Sequence, residues 1–401
     1  MITGDAMRDR RSAILRAHGA GSDVVDEVLA YSESGFDSAA LEASRQYPLV
    51  DEPFVDAWQQ YADAARERGT TNTLRENLIQ LHFPVETGMS ERHEYQDATR
   101  RGILPPAGAF EPGSFADAAG IEIRLHPTPA GRLPVVIATA RADFEHLILA
   151  LTRRNEPQAL PASMGACIVG GYNDWSRVRN LRAVWSAQRA AAGTGTDDAA
   201  WRLEFQRIAA MRELYQDRFV VLSRGPYSGV AASELGLSDD EWSRLSLVIR
   251  MEHECAHYFT RRVFGSMRNS LLDELIADYT GIVVARGQFE PRWLEHFMGV
   301  EHDEFRRGGR LENYRGAPAL GDAAFIVLQA LVRSATCTLD HFDRLVRGSD
   351  APRALPPSLD EIAWSITAIA ATGLEGLAAP GAADMLYASY TQVAGVTLAV
   401  R

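Results

Sequence analysis

Lysine is absent from this sequence: all 41 basic residues among its 401 are arginine. Without lysine there is no Schiff-base chemistry, no pyridoxal-phosphate anchor, no phosphate-binding Walker lysine and no kinase-type catalytic lysine. Cysteine is scarce. Three residues, Cys167, Cys255 and Cys337, show no paired spacing. That set excludes a disulfide framework and a cysteine-type zinc cluster, and it suits a reducing compartment. Positive charge is also short. The formal net charge of −12 argues against nucleic acid and anionic membranes as partners. No apolar run approaches the roughly 18–20 residues that span a bilayer. Residues 1–20 lack the apolar core of a secretory signal. A soluble cytoplasmic protein is expected, with no membrane or nucleic-acid partner. Its oligomeric state is not readable. Hydrophobic residues at 46% and charged residues at 23% are ordinary for a globular chain with a large core.

Helical spacing of apolar residues marks 20–32 and 54–66, and Asn72 or Thr73 is placed to cap a short helix after them. His93-Glu94 with Asp97 looks like half a metal site, but on a polar segment it reads as solvated surface. The Pro-, Gly- and Ala-rich stretch 104–118 suggests a boundary. Alternating or short apolar runs then predict strands at 121–126, 133–140 and 219–223, with a helix over 143–153. From 238 onward the pattern is almost entirely helical. An α+β fold follows, predominantly helical, with a helical N-terminal domain over 1–115. The second domain covers 116–401, with an α+β part over 116–237 and a helical part over 238–401.

The chemistry concentrates in 238–289. Ser238 followed by Glu241 is a capping-box signature, and Gly265 is a plausible stop, so one helix runs to about Phe264. Inside it stands His253-Glu254-Cys255-Ala256-His257, an H-E-x-x-H pattern. Residues four apart share a helix face, so His253 and His257 can aim at one point, as a tetrahedral Zn2+ site requires. Glu254 lies about 100° around the helix from His253. There it can reach water beside the metal without ligating. Cys255 faces elsewhere and reads as core. Thr260 and Val263 stand where a metzincin continuation needs Gly and His, which excludes that class. A second helix starting near Ser270 and Asp273 carries Glu274 and Asp278 on one face. Folded back antiparallel, it brings Glu274 beside the histidines as third ligand. Asp278, one turn deeper, can accept the distal N–H of a ligating histidine.

His253-Glu254-x-x-His257 followed by Glu274-x-x-x-Asp278 resembles the gluzincin group of HExxH zinc metallopeptidases. The resemblance covers about 26 of the 401 positions and implies a zincin-like metalloprotease catalytic domain. It implies a zinc hydrolase cleaving an amide or peptide bond, with Glu254 as general base and a peptide or small amide-containing substrate. Tyr314 and His341 are candidates to stabilise the oxyanion. Arg250, one turn before Glu254, is placed either to pair with it or to bind a substrate carboxylate. The loop Arg224–Gly229 is expected to rim the cleft. Two alternatives stand beside this reading: a non-peptidase zinc enzyme tailoring a small metabolite, and a di-iron carboxylate protein. The second needs another Glu-x-x-His element, and Asp143-x-x-His146 is the nearest substitute.

Overall fold

Residues 4–43, 45–266, 270–302, 304–348 and 353–395 are described by the computed structural model. The chain is mostly helical with one four-stranded sheet. Its contacts divide it into two units. One comprises Val50–Pro127 and Gly131–Gly225; the other comprises Met1–Leu49, Thr128–Ala130 and Pro226–Arg401.

The first unit is built on the sheet. Strands β1 (Ile121–His126), β2 (Leu133–Ala138), β3 (Ala166–Asn173) and β4 (Gln216–Ser223) lie in the order β1-β2-β4-β3. β2 and β4 pair in parallel, and β1 and β3 flank them antiparallel. Every residue of β2 is buried, as expected of a central parallel strand covered on both faces. The helices Val55–Arg68 and Arg141–Thr152 contribute Trp58, Phe144, Leu147 and Ile148 to a core that includes Val136 and Val221 of the sheet. Polar groups in this core are paired. Trp58 Nε1 donates to Asp217 at 2.8 Å, and Tyr61 Oη donates to Asp174 at 2.7 Å. Asp174 also caps the helix Trp175–Ala191.

The boundary expected at 115/116 does not coincide with the division between units. Phe115 packs on the sheet core, and Asp143 accepts the backbone N–H groups of Ala116 at 2.6 Å and Asp117 at 2.8 Å. Residues that read as a linker are thus tied down by a buried carboxylate. The strand expected over 133–140 ends at Ala138. β3, where the sequence predicted no strand, takes a bulge between Gly170 and Tyr172, where Gly171 has φ +70°.

The second unit is helical. Its centre is the antiparallel pair Asp239–Val263, the motif helix, and Ser270–Arg286, the carboxylate helix. Ser238 caps the motif helix, accepting from Glu241 N at 3.3 Å. Asp239, Asp240 and Glu241 occupy its first turn and Arg261 and Arg262 its last, complementing the helix dipole at both ends. The chain leaves it through Gly265, at φ +76°. Gly281 lets the two helices approach. A Cβ there would stand 2.7 Å from the Ile249 carbonyl oxygen, a separation no side chain tolerates. The first forty-nine residues belong to this unit. Arg11 pairs with Glu375 at 2.9 Å, His18 Nε2 meets Ser334 Oγ at 2.9 Å, and the Phe36 ring packs tilted against Phe264 with centroids 5.4 Å apart. Among the described residues one helix, Asp322–Arg347, is long and apolar enough by length and composition to cross a membrane, but 56% of its most apolar window is buried within the protein.

Candidate metal centre

Two imidazoles and a carboxylate converge between the motif and carboxylate helices. His253 Nε2 and His257 Nε2 are 3.0 Å apart. Glu274 Oε2 lies 3.5 Å from the first and Oε1 3.6 Å from the second. Both histidines are buried, and Glu274 is 17% exposed. Helical period explains the pair: four residues bring the rings to one face, 4.6 Å between centroids and nearly perpendicular.

Each ring is held from behind by its own carboxylate. His253 Nδ1 lies 3.0 Å from Asp278 Oδ1 and 2.8 Å from Tyr227 Oη. Tyr227 donates its one proton to Asp278 Oδ1 at 2.6 Å. Nδ1 must therefore be the donor, and Nε2 keeps its lone pair directed at the site. Arg310 donates to Asp278 Oδ2, to Tyr227 Oη at 2.8 Å and to Ser228 Oγ at 2.9 Å. Ser228 holds φ at +53°, a left-handed conformation that costs a non-glycine residue roughly 1–2 kcal/mol. His257 Nδ1 lies 3.2 Å from Asp273 Oδ2, an ion-pair distance whose angle falls outside hydrogen-bond geometry.

These neighbours set the protonation. Burial alone would depress the His257 pKa. The Asp273 carboxylate, 3.2 Å away, outweighs that with help from the charges of Glu274 and Glu254, and lifts it to about 10. Burial would raise Glu274, but the two imidazoles and Arg310 hold it below its ordinary value. Asp278 is likewise held well below the carboxylate range, because Arg310 and His253 overcome its desolvation. Burial pushes the Tyr227 and Tyr314 hydroxyls up, so both stay protonated as donors.

The residues present fit a metal ion. The two Nε2 atoms, 3.0 Å apart, need a proton or a cation between them. The carboxylates of Glu254, Asp273, Glu274 and Asp278 surround the rings. A tetrahedral Zn2+ with bonds of about 2.0–2.1 Å sets its ligand atoms roughly 3.3 Å apart, and the observed triangle has edges of 3.0, 3.5 and 3.6 Å.

Of the residues singled out from the sequence, the structure brings together His253, His257, Glu274 and Asp278, with Glu254 half-buried beside them. Glu254 makes no hydrogen bond or ion pair with another described residue. Cys255 is buried. Tyr314 reaches the site, but its hydroxyl is committed to Glu274 Oε2 at 2.7 Å. His341 does not reach it; it is exposed on the helix Asp322–Arg347 and shares no hydrogen bond or ion pair with the site. Arg250 is buried, donates to the Pro226 carbonyl at 3.1 Å and lies over the Tyr227 ring, so it positions the loop. The loop Arg224–Gly229 is not a simple rim. Arg224 pairs with Glu122 at 2.7 Å, while Tyr227 is buried in the centre's support. The second di-iron element is lacking: Asp143 is occupied by backbone N–H groups, and His146 packs edge-on against Phe115. His93 is exposed beside Asp97, as expected of solvated surface.

Asp273, Tyr227 and Arg310 were not identified from the sequence. Asp273 directly precedes Glu274, and its position one turn plus one residue before Asp278 was the available signal. Tyr227 and Arg310 come from distant segments whose proximity no local period reveals.

The sequence matches a family of unknown function, DUF7005, over residues 13–381. The chain belongs to that family. No curated protein and no solved structure matches it. In this DUF7005 member the matched region contains every residue of the centre, together with Tyr31, whose hydroxyl donates to the Tyr314 carbonyl at 2.7 Å.

Proposed function

We propose that this chain is a zinc-dependent hydrolase of the gluzincin type that cleaves an amide or peptide bond. The observation that carries the reading is the convergence of His253 Nε2, His257 Nε2 and Glu274, with a separate carboxylate behind each ring. A zinc ion held by these three residues would supply Lewis acidity and make water acidic near neutral pH.

The chain's own groups do the rest. Glu254, adjacent to His253 but turned off the ligand face, accepts a proton from the attacking water and returns it to the departing amine. Tyr314 fixes the Glu274 carboxylate through Oε2. Asp278, Tyr227 and Arg310 keep His253 in the tautomer that points Nε2 inward.

Metal analysis and turnover of a peptide library, read by mass spectrometry, test the reading. The purified protein should hold about one zinc per chain, and His253→Ala or His257→Ala should release it. Glu254→Gln should keep zinc and melting temperature while lowering turnover by at least about 10²-fold, the low end for loss of a general base. Zinc loss on Glu254→Gln would make Glu254 a ligand. Unchanged turnover with zinc intact would place the chemistry elsewhere.

A further inference from the structure

Behind the carboxylate helix lies a cavity of about 680 Å³, within the size range of small-molecule sites. It opens between the helix Gly4–Ala17, the segment around Phe36 and the turn Gly373–Glu375. Ile14, Phe36, Leu272 and Leu374 give it an apolar interior. Leu272 precedes Glu274 by two residues, about 200° around the helix, so the cavity and the metal centre lie on opposite sides of that helix.

Charge at this cavity is unbalanced. Arg11 is paired: its Nη2 donates to Glu375 at 2.9 Å and to Ser32 Oγ at 3.0 Å, and lies near the Leu29 and Ser32 carbonyls. Glu375 in turn accepts from Ser32 Oγ at 2.5 Å. Arg10, on the same wall, has no carboxylate partner among the described residues. Its one hydrogen bond among the described residues goes to the Met385 sulfur, at 3.3 Å, and thioether sulfur is a weak acceptor. A chamber with an apolar floor and, at its rim, an exposed forked cation without a carboxylate partner among the described residues is complementary to a molecule with an apolar tail and a carboxylate head.

We propose that this cavity is a binding site for a small amphiphilic carboxylate, its chain against Phe36, Leu272 and Leu374 and its head on Arg10. Isothermal titration calorimetry on the full chain tests it with four probes: decanoate, decanol, decyltrimethylammonium and acetate. Decanoate should bind at least about tenfold more tightly than decanol, the scale of a hydrogen bond to a charged group. Acetate and the cationic probe should not bind measurably. Arg10→Gln should remove the preference for decanoate over decanol. Ala371→Trp, at an exposed position of the lining, should fill the chamber and abolish binding of both, with the melting temperature retained. Equal binding of decanoate and decanol to the unaltered protein would overturn the proposal, as would undiminished decanoate binding to a folded Ala371→Trp protein.

Discussion

At the scale of single residues, the centre depends on what lies behind its histidines. Asp278 is neutralised by Arg310 and shares its oxygen with Tyr227. Asp273 is buried, and both its oxygens lack hydrogen-bond partners. Such a carboxylate is costly unless a positive charge compensates it, and its nearest neighbour is His257 Nδ1. Both should therefore contribute to metal affinity. Asp278→Asn and Asp273→Asn should each weaken zinc binding by about 10–100-fold, measured by competition with a chromophoric chelator. Because they hold different rings, their effects in the double variant should multiply. A double variant no weaker than either single one would mean that the two carboxylates act as one unit.

Elements bring these residues to their places. The motif helix is specified locally, by the Ser238 cap, the acidic first turn and the basic last turn. The carboxylate helix owes its position to packing, and Gly281 is where that packing is closest. Helix propensity alone would favour Gly281→Ala by about 1 kcal/mol. The Ile249 carbonyl blocks the added methyl, and backbone cannot yield as a flexible side chain does. The substitution should therefore cost about 1–3 kcal/mol net of repacking and spread the two helices one turn from His253. A lower melting temperature together with weaker zinc binding is the expected result in thermal unfolding and metal titration. A raised melting temperature would show that the helices do not cross so closely.

The molecule as a whole is not divided as its sequence suggests. The N-terminal helices are part of the unit that carries the centre. Tyr31 supports Tyr314 from below, the Asp37 N–H donates to the Phe264 carbonyl at 3.0 Å, and Arg11 reaches Glu375. A chain starting at residue 50 should lose cooperative unfolding of this unit and most of its zinc, read by calorimetry and metal analysis. Full zinc content in that truncated chain would show that the N-terminal helices are an accessory.

What the sequence determined by itself is what has a short period. His253, Glu254 and His257 share one helix. Glu274 and Asp278 share the next, and a brief reversal leaves them antiparallel, so spacing alone implied their meeting. Three of the four strands of the sheet and the cap at Ser238 were legible for the same reason, since alternation and capping are local; β3, with its glycine bulge, was not. Tertiary structure decided the rest. Tyr227 reaches His253 from 26 residues away and Arg310 reaches Asp278 from 32, and Tyr31 meets Tyr314 across 283. No periodicity spans such distances. These contacts exist because burying the apolar faces of many helices at once leaves each polar group only the partners that packing delivers. The domain boundary was misplaced for the same reason: a run of Pro, Gly and Ala marks irregular backbone, but whether that backbone separates two units or is bound to one depends on a buried carboxylate such as Asp143.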